Sequence, residues 1–343
     1  MNIIKRITDW FKKPSKDDTD KTLDELLAHV TDARLREDIY KPIIENQLNY
    51  LNASVSSLTK CPECGTSVPK RERWQEVLPE LSVKILDKLL ILKDIVAFQP
   101  MKGPVDLVYK LRYSHIEEVP NGRNLSLEII SEAVEAASSK LAANWTIEAA
   151  QDVFDQHNKD LEQEILDIMA TEIAGEMIAK VIADLTALGS KHDFSELAPK
   201  RYDTAIQINY AANEIARRTR RGAGNYVILS SRVAQELETN KEFVKDSEID
   251  RSSILYQVGT LNKNIHVYVY RDGDPDMFVV GYKGGNGNTD AGYYLCPYIL
   301  LMSTGIVVDP LTFQPLIGFV TRNGVNTDDK SPDYFATIVQ TPA

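Results

Sequence analysis

The sequence predicts an α+β protein organised around one long helix, and three observations support that fold class. Residues 146–188 contain no proline and carry an apolar residue at nearly every fourth position. Residues 225–237 combine a short apolar strand with an amphipathic helix, which indicates a small α/β lobe. Residues 293–339 have the pattern of strands with almost no helix. The 343 residues exceed what one hydrophobic core usually supports, so we expect two lobes or an elongated subunit.

The amino-terminal part predicts short amphipathic helices joined by charged breaks. Residues 1–13 are basic and place five apolar side chains at helical spacing: Ile3, Ile4, Ile7, Trp10 and Phe11. They lack the continuous apolar run of a signal peptide, which favours a cytoplasmic protein. The apolar faces within residues 1–57 need a partner, and an arm docked on neighbouring subunits would provide one.

A strand followed by a polar turn predicts a hairpin after the next helical stretch, residues 76–100. Residues 105–113 alternate as a strand does. Residues 114–130 are polar and contain the turn Pro120-Asn121-Gly122, which indicates a long two-stranded excursion.

The long helix has identifiable ends and a broad apolar stripe. Thr146 can cap its first turn, and Gly189 is suited to stop it. The stripe repeats every four residues through Ile165, Met169, Ile173, Met177, Val181 and Leu185, and is widened by Leu161, Leu166, Ile168, Ile178 and Ile182. Forty helical residues would reach ~60 Å, and the part after a break near His157 and Asn158 ~45 Å. Either length exceeds the diameter of a small domain, so we interpret the element as a spine.

The α/β lobe is predicted from a second helix and several strands. The helix spans residues 203–221, with Ile206, Tyr210, Ile215 and Ala216 as its apolar face. A strand at 225–230 precedes a helix that Ser231 would cap. Residues 265–270 and 277–282 have the pattern of further strands.

Composition excludes several classes of function. The net charge of −11 gives no general electrostatic footprint for nucleic acid. Such a charge would repel packaged DNA from the inside of a container, or it serves solubility alone. No run reaches the ~18 apolar residues that a membrane span needs. Three cysteines are too few for a disulfide scaffold and fit a reducing compartment.

The one candidate metal half-site is Cys61-x-x-Cys64, which has the form of one zinc knuckle. A closed zinc site needs four ligands, and the only other cysteine is Cys296. A metal would need distant or intersubunit ligands, so a tight turn in an exposed arm is the favoured interpretation of the pair. We expect no catalytic residue, no bound cofactor and no other metal site.

Three further patterns have both a functional and a structural interpretation. The basic cluster of Arg217, Arg218, Arg220 and Arg221 could offset a helix dipole, meet an acidic neighbour or bind phosphate; the first interpretation is favoured. The glycine-rich run 284–288 lacks the Lys-Ser/Thr ending of a phosphate loop and predicts a mobile loop. The alternating acids Asp272, Asp274 and Asp276 lack the central glycine and terminal glutamate of a calcium loop. His266 is expected to be an ordinary strand residue.

Several segments, in order, resemble the major capsid proteins of T-even-type tailed phages. They are residues 99–104 (QPMKGP) with 111–113 (LRY), 145–152 (WTIEAAQD) with 168–173 (IMATEI), 224–228 (GNYVI) with Ser230, and 280–284 (VGYKG) with 290–292 (DAG), 294–298 (YLCPY), 309–310 (DP), 313–315 (FQP) and 318–322 (GFVTR). Residues 1–75 show no clear match. The stretch between Arg112 and Leu141 leaves no room for the large inserted domain of T-even relatives, so no contact through that domain is expected.

The resemblance implies the HK97-like capsid fold, named after phage Hong Kong 97, and a domain map. The map has an amino-terminal arm (1–75), a connection to the peripheral domain (76–104), an extended loop that overlaps a neighbour (105–143), the spine helix of the peripheral domain (144–199), an axial domain (200–285) and returning strands of the peripheral domain (286–343).

The function implied is a structural protein, not an enzyme. It would self-assemble into hexamers, and into pentamers as well, of an icosahedral phage head. That head would enclose double-stranded DNA without sequence-specific binding and without a membrane. The expected location is the virion, after assembly in the host cytoplasm, and scaffold, portal, vertex and decoration proteins are the expected partners. Two alternatives stay open: a related vertex protein that forms pentamers only, and a zinc-dependent nucleic-acid-binding module or enzyme of unknown reaction.

Overall fold

The computed structural model describes residues 22–58, 73–113, 117–119, 122–124, 127–157, 160–193, 204–247, 249, 251, 253–274, 277–285, 288–309, 311–312 and 314–339. A helical stretch, Ala33–Leu35 and Arg36–Tyr40, leads into the first of six longer helices. These are α1 (Lys41–Leu58), α2 (Arg73–Leu89), α3 (Ile147–His157), α4 (Leu161–Leu188), α5 (Thr204–Thr219) and α6 (Ser231–Glu238). Short 3₁₀ helices lie at Leu90–Asp94 and Ser331–Tyr334.

The strands, in chain order, are β1 (Ala97–Phe98), β2 (Val105–Tyr113), β3 (Glu117–Val119), β4 (Gly122–Asn124), β5 (Leu127–Glu135), β6 (Ala137–Asn144), β7 (Ser190–Asp193), β8 (Tyr226–Ser230), β9 (Phe243–Lys245), β10 (Leu255–Leu261), β11 (Ile265–Tyr270), β12 (Met277–Gly281), β13 (Tyr294–Val308), β14 (Pro315–Asn326) and β15 (Phe335–Val339). They form a sheet ordered β1-β13-β14-β6 and a sheet ordered β7-β15-β12-β8-β11-β10-β9. The pairs β2-β5 and β3-β4 form two-stranded hairpins. The predicted α+β class is confirmed.

The predicted spine is divided at the predicted break. Thr146 caps α3, its Oγ1 accepting from the Ala149 N–H at 3.1 Å, and α3 ends at His157. The α4 helix then starts with Asp160 as a second cap, whose carboxylate accepts from the Glu162 N–H at 3.1 Å. Gly189 ends α4 in an extended conformation, as predicted. The 28 residues of α4 alone span about 42 Å at 1.5 Å per residue.

The apolar stripe of α4 is buried along most of its length. Ile173, Met177, Val181 and Leu185 are at most 5% exposed. The prediction was wrong for Ile168, which is 55% exposed. Successive helical residues are about 100° apart, so Ile168 points well away from its buried neighbour Met169.

The helices before the hairpin pack on this spine within the same chain, and do not leave their apolar faces exposed for a neighbouring subunit. The α1 and α2 helices share one hydrophobic core with α4, to which they contribute Ile43, Ile44, Leu48, Leu78, Leu81, Ile85 and Leu89. Gln47 in α1 also bonds the backbone of Leu301 in β13, donating at 2.5 Å and accepting at 3.2 Å. The expectation that apolar faces of this region require another subunit was therefore wrong for the stretch from Leu23 to Leu51.

The seven-stranded sheet and its helices α5 and α6 form the predicted small lobe, with a difference in its boundary. The central strand β8 is buried at all five positions, between β12 and β11. The lobe recruits β7 and β15 from outside residues 200–285, and β15 pairs with β12 in antiparallel register from Met277 opposite Val339. Pairing on both sides satisfies the backbone groups of β12. The residues of this strand from Phe278 to Gly281 are all buried. We predicted that residues 286–343, which include β15, return to the peripheral domain. The sheet order instead places β15 in the sheet of the lobe.

Two local predictions in this lobe were wrong. Ile206 and Tyr210 are 53% and 52% exposed, because α5 buries the opposite face, through residues such as Ile208 and Ile215. The α6 helix is capped by Ser230, whose Oγ accepts from the Val233 N–H, and not by Ser231. His266 is an exposed residue of β11, as expected.

The burial of α4 leads to a prediction about stability. Replacing Met177 with lysine should lower the free energy of unfolding by roughly 2–4 kcal/mol, because an ammonium would be buried without a partner. Chemical denaturation followed by circular dichroism measures the loss. The matched control is Ile168→Lys on the exposed side of α4, which should change stability by less than about 0.5 kcal/mol. Equal losses for the two variants would contradict the observed orientation of α4.

Candidate functional site

The described residues contain no arrangement suited to metal chemistry. Cys61 and Cys64 lie outside them, as does Asp276. Cys296 is buried, and burial raises the pKa of its thiol to about 12. Over the described ranges, no three His, Cys, Asp or Glu side chains converge on a metal-sized site. Within the same ranges, no helix is both long and apolar enough to span a bilayer.

The basic cluster at the end of α5 is used largely within the chain. Arg217 pairs with Glu214 one turn earlier, with Nε donating at 3.0 Å. Arg218 donates to Ser190 Oγ at 2.7 Å and to the carbonyl of Phe335 at 3.4 Å. These contacts tie α5 to β7 and β15. The helix-end interpretation suits Arg217, and none of the three sequence interpretations anticipated the role of Arg218.

Arg221 connects the lobe to the β2-β5 hairpin. Its guanidinium pairs with Asp290 and donates to the carbonyl of Leu111 in β2 at 3.1 Å. It also lies over the ring of Tyr334, 5.6 Å from the centroid, and the Tyr334 hydroxyl donates to Asp290 at 3.3 Å. The Arg221 and Asp290 side chains are only 16% and 13% exposed. This Arg221 clamp sets where the hairpin leaves the body.

The glycine-rich run beside the clamp is unsuited to phosphate. The Gly284 N–H donates to the carbonyl of Asp290 at 2.9 Å, and the Asp290 carboxylate fills the space where a side chain of Gly284 would stand. A carboxylate in that place would repel a phosphate. Residues 286 and 287 of the run lie outside the described residues.

One face of the hairpin is anchored to the body. Val108 and Val134 pack with Met101 and Cys296 in a small apolar cluster. Beside them the Lys110 ammonium is almost fully buried, 2.8 Å from a carboxylate oxygen of Glu132 and 3.8 Å from one of Asp328. Because side chains alternate between the faces of a strand, the hairpin residues of this group, namely Val108, Lys110, Glu132 and Val134, all lie on one face.

The other face of the hairpin is exposed and carries four large apolar side chains beside the polar Ser131 and Glu135. Val105, Leu107 and Tyr109 in β2 are 61%, 47% and 51% exposed, and Ile129 in β5 is 72% exposed. The register pairs Leu111 with Ile129, which places the four side chains on the same face. We call these four residues the hairpin face. An apolar strand face open to solvent is typical of a surface that another protein covers.

A second exposed apolar group lies at the turn between β13 and β14. This turn cluster consists of Val307, Val308, Leu311 and Leu316, of which Leu311 is 88% exposed. The turn is ordered by Asp309, whose carboxylate accepts from the Leu311 N–H and the Thr312 hydroxyl, both at 2.9 Å. These bonds lower the pKa of Asp309, so it stays ionised at neutral pH.

A partly buried lysine joins the α2 side of the molecule to the lobe. Lys283 follows β12, and its ammonium donates to the carbonyls of Lys93 and Val96, the latter at 2.8 Å. Asn225 holds the Lys283 backbone from the other side, donating at 2.7 Å and accepting at 3.0 Å. Burial lowers the pKa of Lys283 to about 8, partly opposed by Asp94.

The alternating residues of β2 were the only sequence signal for the hairpin face. The run from Val105 to Tyr113 shows that the strand has two faces, but not which of them packs on the body. The roles of Arg221 and Lys283 had no local signal, because both depend on carbonyl groups far away in the sequence.

The sequence matches a family model described as major capsid protein Gp23 over residues 115–340. The chain is 32% identical over 233 residues to a major capsid protein of Enterobacteria phage T6, covering 59% of this chain and 46% of that one. It is 31% identical over 236 residues to that of Vibrio phage KVP40, covering 60% of this chain and 45% of that one. The chain thus spans about half the length of the curated relatives it matches.

Solved capsid structures are also similar to the chain, at low identity. The capsid of Myoviridae phage XM1 aligns with a TM-score of 0.45 and 9% identity, over 74% of this chain and 92% of that one. A chain of Microbacterium phage Oxtober96 aligns with a TM-score of 0.46 and 10% identity, over 84% and 98%. Likenesses with TM-scores under 0.5 do not by themselves establish a shared fold.

The Arg221 clamp leads to a prediction about the hairpin. Arg221→Ala should speed amide exchange of β2 and β5 and lower stability by roughly 2–4 kcal/mol, because Asp290 would stay buried without its cation. Hydrogen exchange with mass spectrometry localises the effect. Arg217→Ala is the control, since Arg217 is 72% exposed and bonded only within its own helix end. Unchanged exchange of the hairpin in Arg221→Ala would show that the clamp does not position it.

The low pKa of Lys283 leads to a prediction about pH. Between the folded pKa of about 8 and the ordinary 10.5, the unfolded chain binds more protons, so stability should rise with pH. Over pH 8 to about 9.5, the advantage of the native chain over Lys283→Met should grow by up to ~1.4 kcal/mol per pH unit. Urea unfolding at several pH values measures it, and parallel stability curves for the two proteins would refute the assignment. The unfolding measurements stop at about pH 9.5, because the tyrosines of the unfolded chain ionise near pH 10.

Proposed function

The chain belongs to the major capsid protein Gp23 family, and from this premise we propose that it is a structural subunit that assembles with its own copies into a phage head. The carrying observation is the family match over residues 115–340, which runs from the hairpin to the last strand. The proposed place of the protein is the virion, after assembly in the host cytoplasm.

The exposed apolar surfaces support assembly as the use of this fold. The hairpin face and the turn cluster are both apolar and exposed. The first lies on the two-stranded β2-β5 hairpin, and the second lies at the turn that joins β13 and β14 of the four-stranded sheet. We propose the hairpin, within residues 105–143, as the extended loop that overlaps a neighbour. We propose α4 with the four-stranded sheet as the peripheral domain, and the seven-stranded sheet with α5 and α6 as the axial domain.

The finer assembly is proposed as follows. Hexamers form the faces of the shell, with pentamers built from this chain or a close relative, and a vertex protein that forms pentamers only is the second candidate. Scaffold, portal, vertex and decoration proteins are the proposed partners. DNA would be enclosed without sequence-specific contacts, in keeping with the net charge of −11.

A structural role is favoured over an enzyme or a zinc-dependent nucleic-acid module. That alternative depended on the basic cluster and on the pair Cys61 and Cys64. Arg218 and Arg221 make their contacts within the chain, so the basic cluster gives little support to that alternative. The cysteine pair lies outside the described residues, so a zinc site at Cys61 and Cys64 stays a prediction.

Changing the hairpin face should prevent assembly while leaving the subunit folded. We expect Leu107→Asp with Ile129→Asp to abolish shells, because two carboxylates would have to be desolvated in an apolar contact. Negative-stain microscopy and sedimentation of the expressed protein measure assembly, and thermal melting checks folding. The matched control, Leu107→Met with Ile129→Val, keeps the face apolar and should still form shells. Normal shells from the aspartate variant would exclude this face as an intersubunit contact.

The ring size separates the two capsid roles. Native mass spectrometry of capsomers released from shells should give hexamers of a chain of 38.5 kDa. Pentamers alone would favour the vertex protein, and a protein that stays monomeric at every salt concentration would count against both.

A further inference from the structure

Helix α3 is a surface helix that buries none of its own side chains. Its residues Ile147 and Phe154 are 55% and 60% exposed, and no residue from Ile147 to His157 is buried. The two apolar side chains are seven residues apart, two turns along the same side of the helix. Helices of this length are marginal in water without tertiary packing, so this side is suited to being covered.

An acidic stripe runs beside these apolar residues. Glu148, Asp152 and Asp155 follow one another at spacings of four and three residues, and all three are exposed. Asp160 and Glu162 continue the negative charge at the start of α4. Within residues 147–164 the only lysine or arginine is Lys159, which lies between the two helices. The surface therefore combines apolar contact area with a surplus of negative charge.

An apolar cleft lies directly next to this surface. It is lined by Trp145, Leu166 and Ile306, with Asp160 and Glu162 at its rim. Trp145 is separated from α3 by Thr146 alone, so the cleft and the exposed side of α3 are neighbours. The combination suits a helix that has one apolar side and several cations.

One segment of this chain has that chemistry. Residues 1–13 carry an apolar stripe of Ile3, Ile4, Ile7, Trp10 and Phe11, and the cations Lys5, Arg6, Lys12 and Lys13 against the single acid Asp9. Residues 59–72, the other long stretch outside the described residues, have no comparable apolar spacing. Eight residues, 14–21, lead from this segment to the described chain and span roughly 26–29 Å when extended. Leu23, just after them, is buried in the same core as Leu166.

We propose that residues 1–13 lie as a helix on α3 and the start of α4 of the same chain. Their apolar stripe contacts Ile147 and Phe154, and their cations face Glu148, Asp152 and Asp155. The contact is of the helix-on-helix kind, with apolar area giving affinity and charge giving orientation. The inference does not depend on the shell, because it concerns the separate subunit.

Amide exchange of the full-length chain tests this docking under conditions that keep it monomeric. Ile7→Asp with Trp10→Asp should make the amides of residues 147–157 exchange roughly tenfold faster, because the cover of α3 would open. The control is Ile7→Leu with Trp10→Phe, which keeps the apolar stripe and the charge of the segment and should leave exchange unchanged. Melting temperatures check that each variant is folded. Equal exchange of α3 in the native chain and the Ile7→Asp, Trp10→Asp chain would overturn the proposal.

Charge reversal gives an independent test of the same contact. Asp152→Lys with Asp155→Lys should lose the protection of α3, and adding Lys5→Glu with Lys12→Glu should restore it. Failure of this rescue would overturn the proposed pairing of charges. Protection of α3 that depends on protein concentration would assign its cover to a second copy, and would overturn docking within the same chain.

Discussion

The burial of α4 is the constraint on which the rest of the fold depends. A helix of 28 residues with an apolar stripe wide enough to include Leu166, Ile173, Ile178 and Leu185 cannot be covered by one neighbour. The helices α1 and α2 cover one side, and the strands of both sheets contribute to the same core, through residues such as Leu300 in β13 and Val279 in β12. One continuous core therefore connects parts of the chain that the domain map separates. The lobe can be distinguished by its sheet and by its second apolar cluster, yet it is attached to the spine through shared packing.

Because side chains in a strand alternate between two faces, the hairpin can use one face for packing and the other for contact with a partner. One face of β2 and β5 holds the element to the body through Val108, Val134 and the buried Lys110. The alternate residues are thereby left facing outward, among them the four apolar side chains of the hairpin face. A single strand can thus be tied to its own subunit and present a contact surface to another, with no loss of either property.

Much of the fold could be predicted from the sequence, because local signals specify helices and strands. The caps at Thr146 and Gly189, the break after His157 and the apolar strand β8 all followed from a few neighbouring residues. Contacts distant in sequence could not be predicted this way. The burial of Leu27 and Ile44, the insertion of β15 beside β12, and the carbonyl groups that Arg221 and Lys283 bind depend on the three-dimensional path of the chain. The faces of α5 were misassigned in part, because its buried side combines Ile208 and Ile215 with small alanines and does not include Ile206 and Tyr210. The hairpin face was suggested by alternation alone, and its outward direction needed the structure.

The way the hairpin is held has a mechanical consequence. Its base is fixed by two groups of polar contacts, the Arg221 clamp and Lys110 with Glu132, and by a small apolar cluster around Met101. The large core around α4 takes almost no part. Polar contacts of this kind can lengthen, or be replaced by contacts with water, at a modest cost in free energy. Separating the side chains of an apolar core costs more, because water does not replace the contacts that they lose. The hairpin can therefore change its angle while the body stays rigid. In the shell that we propose, hexamers and pentamers would impose unequal curvature on identical chains, and that compliance would let one sequence occupy non-identical positions without unfolding any of its core.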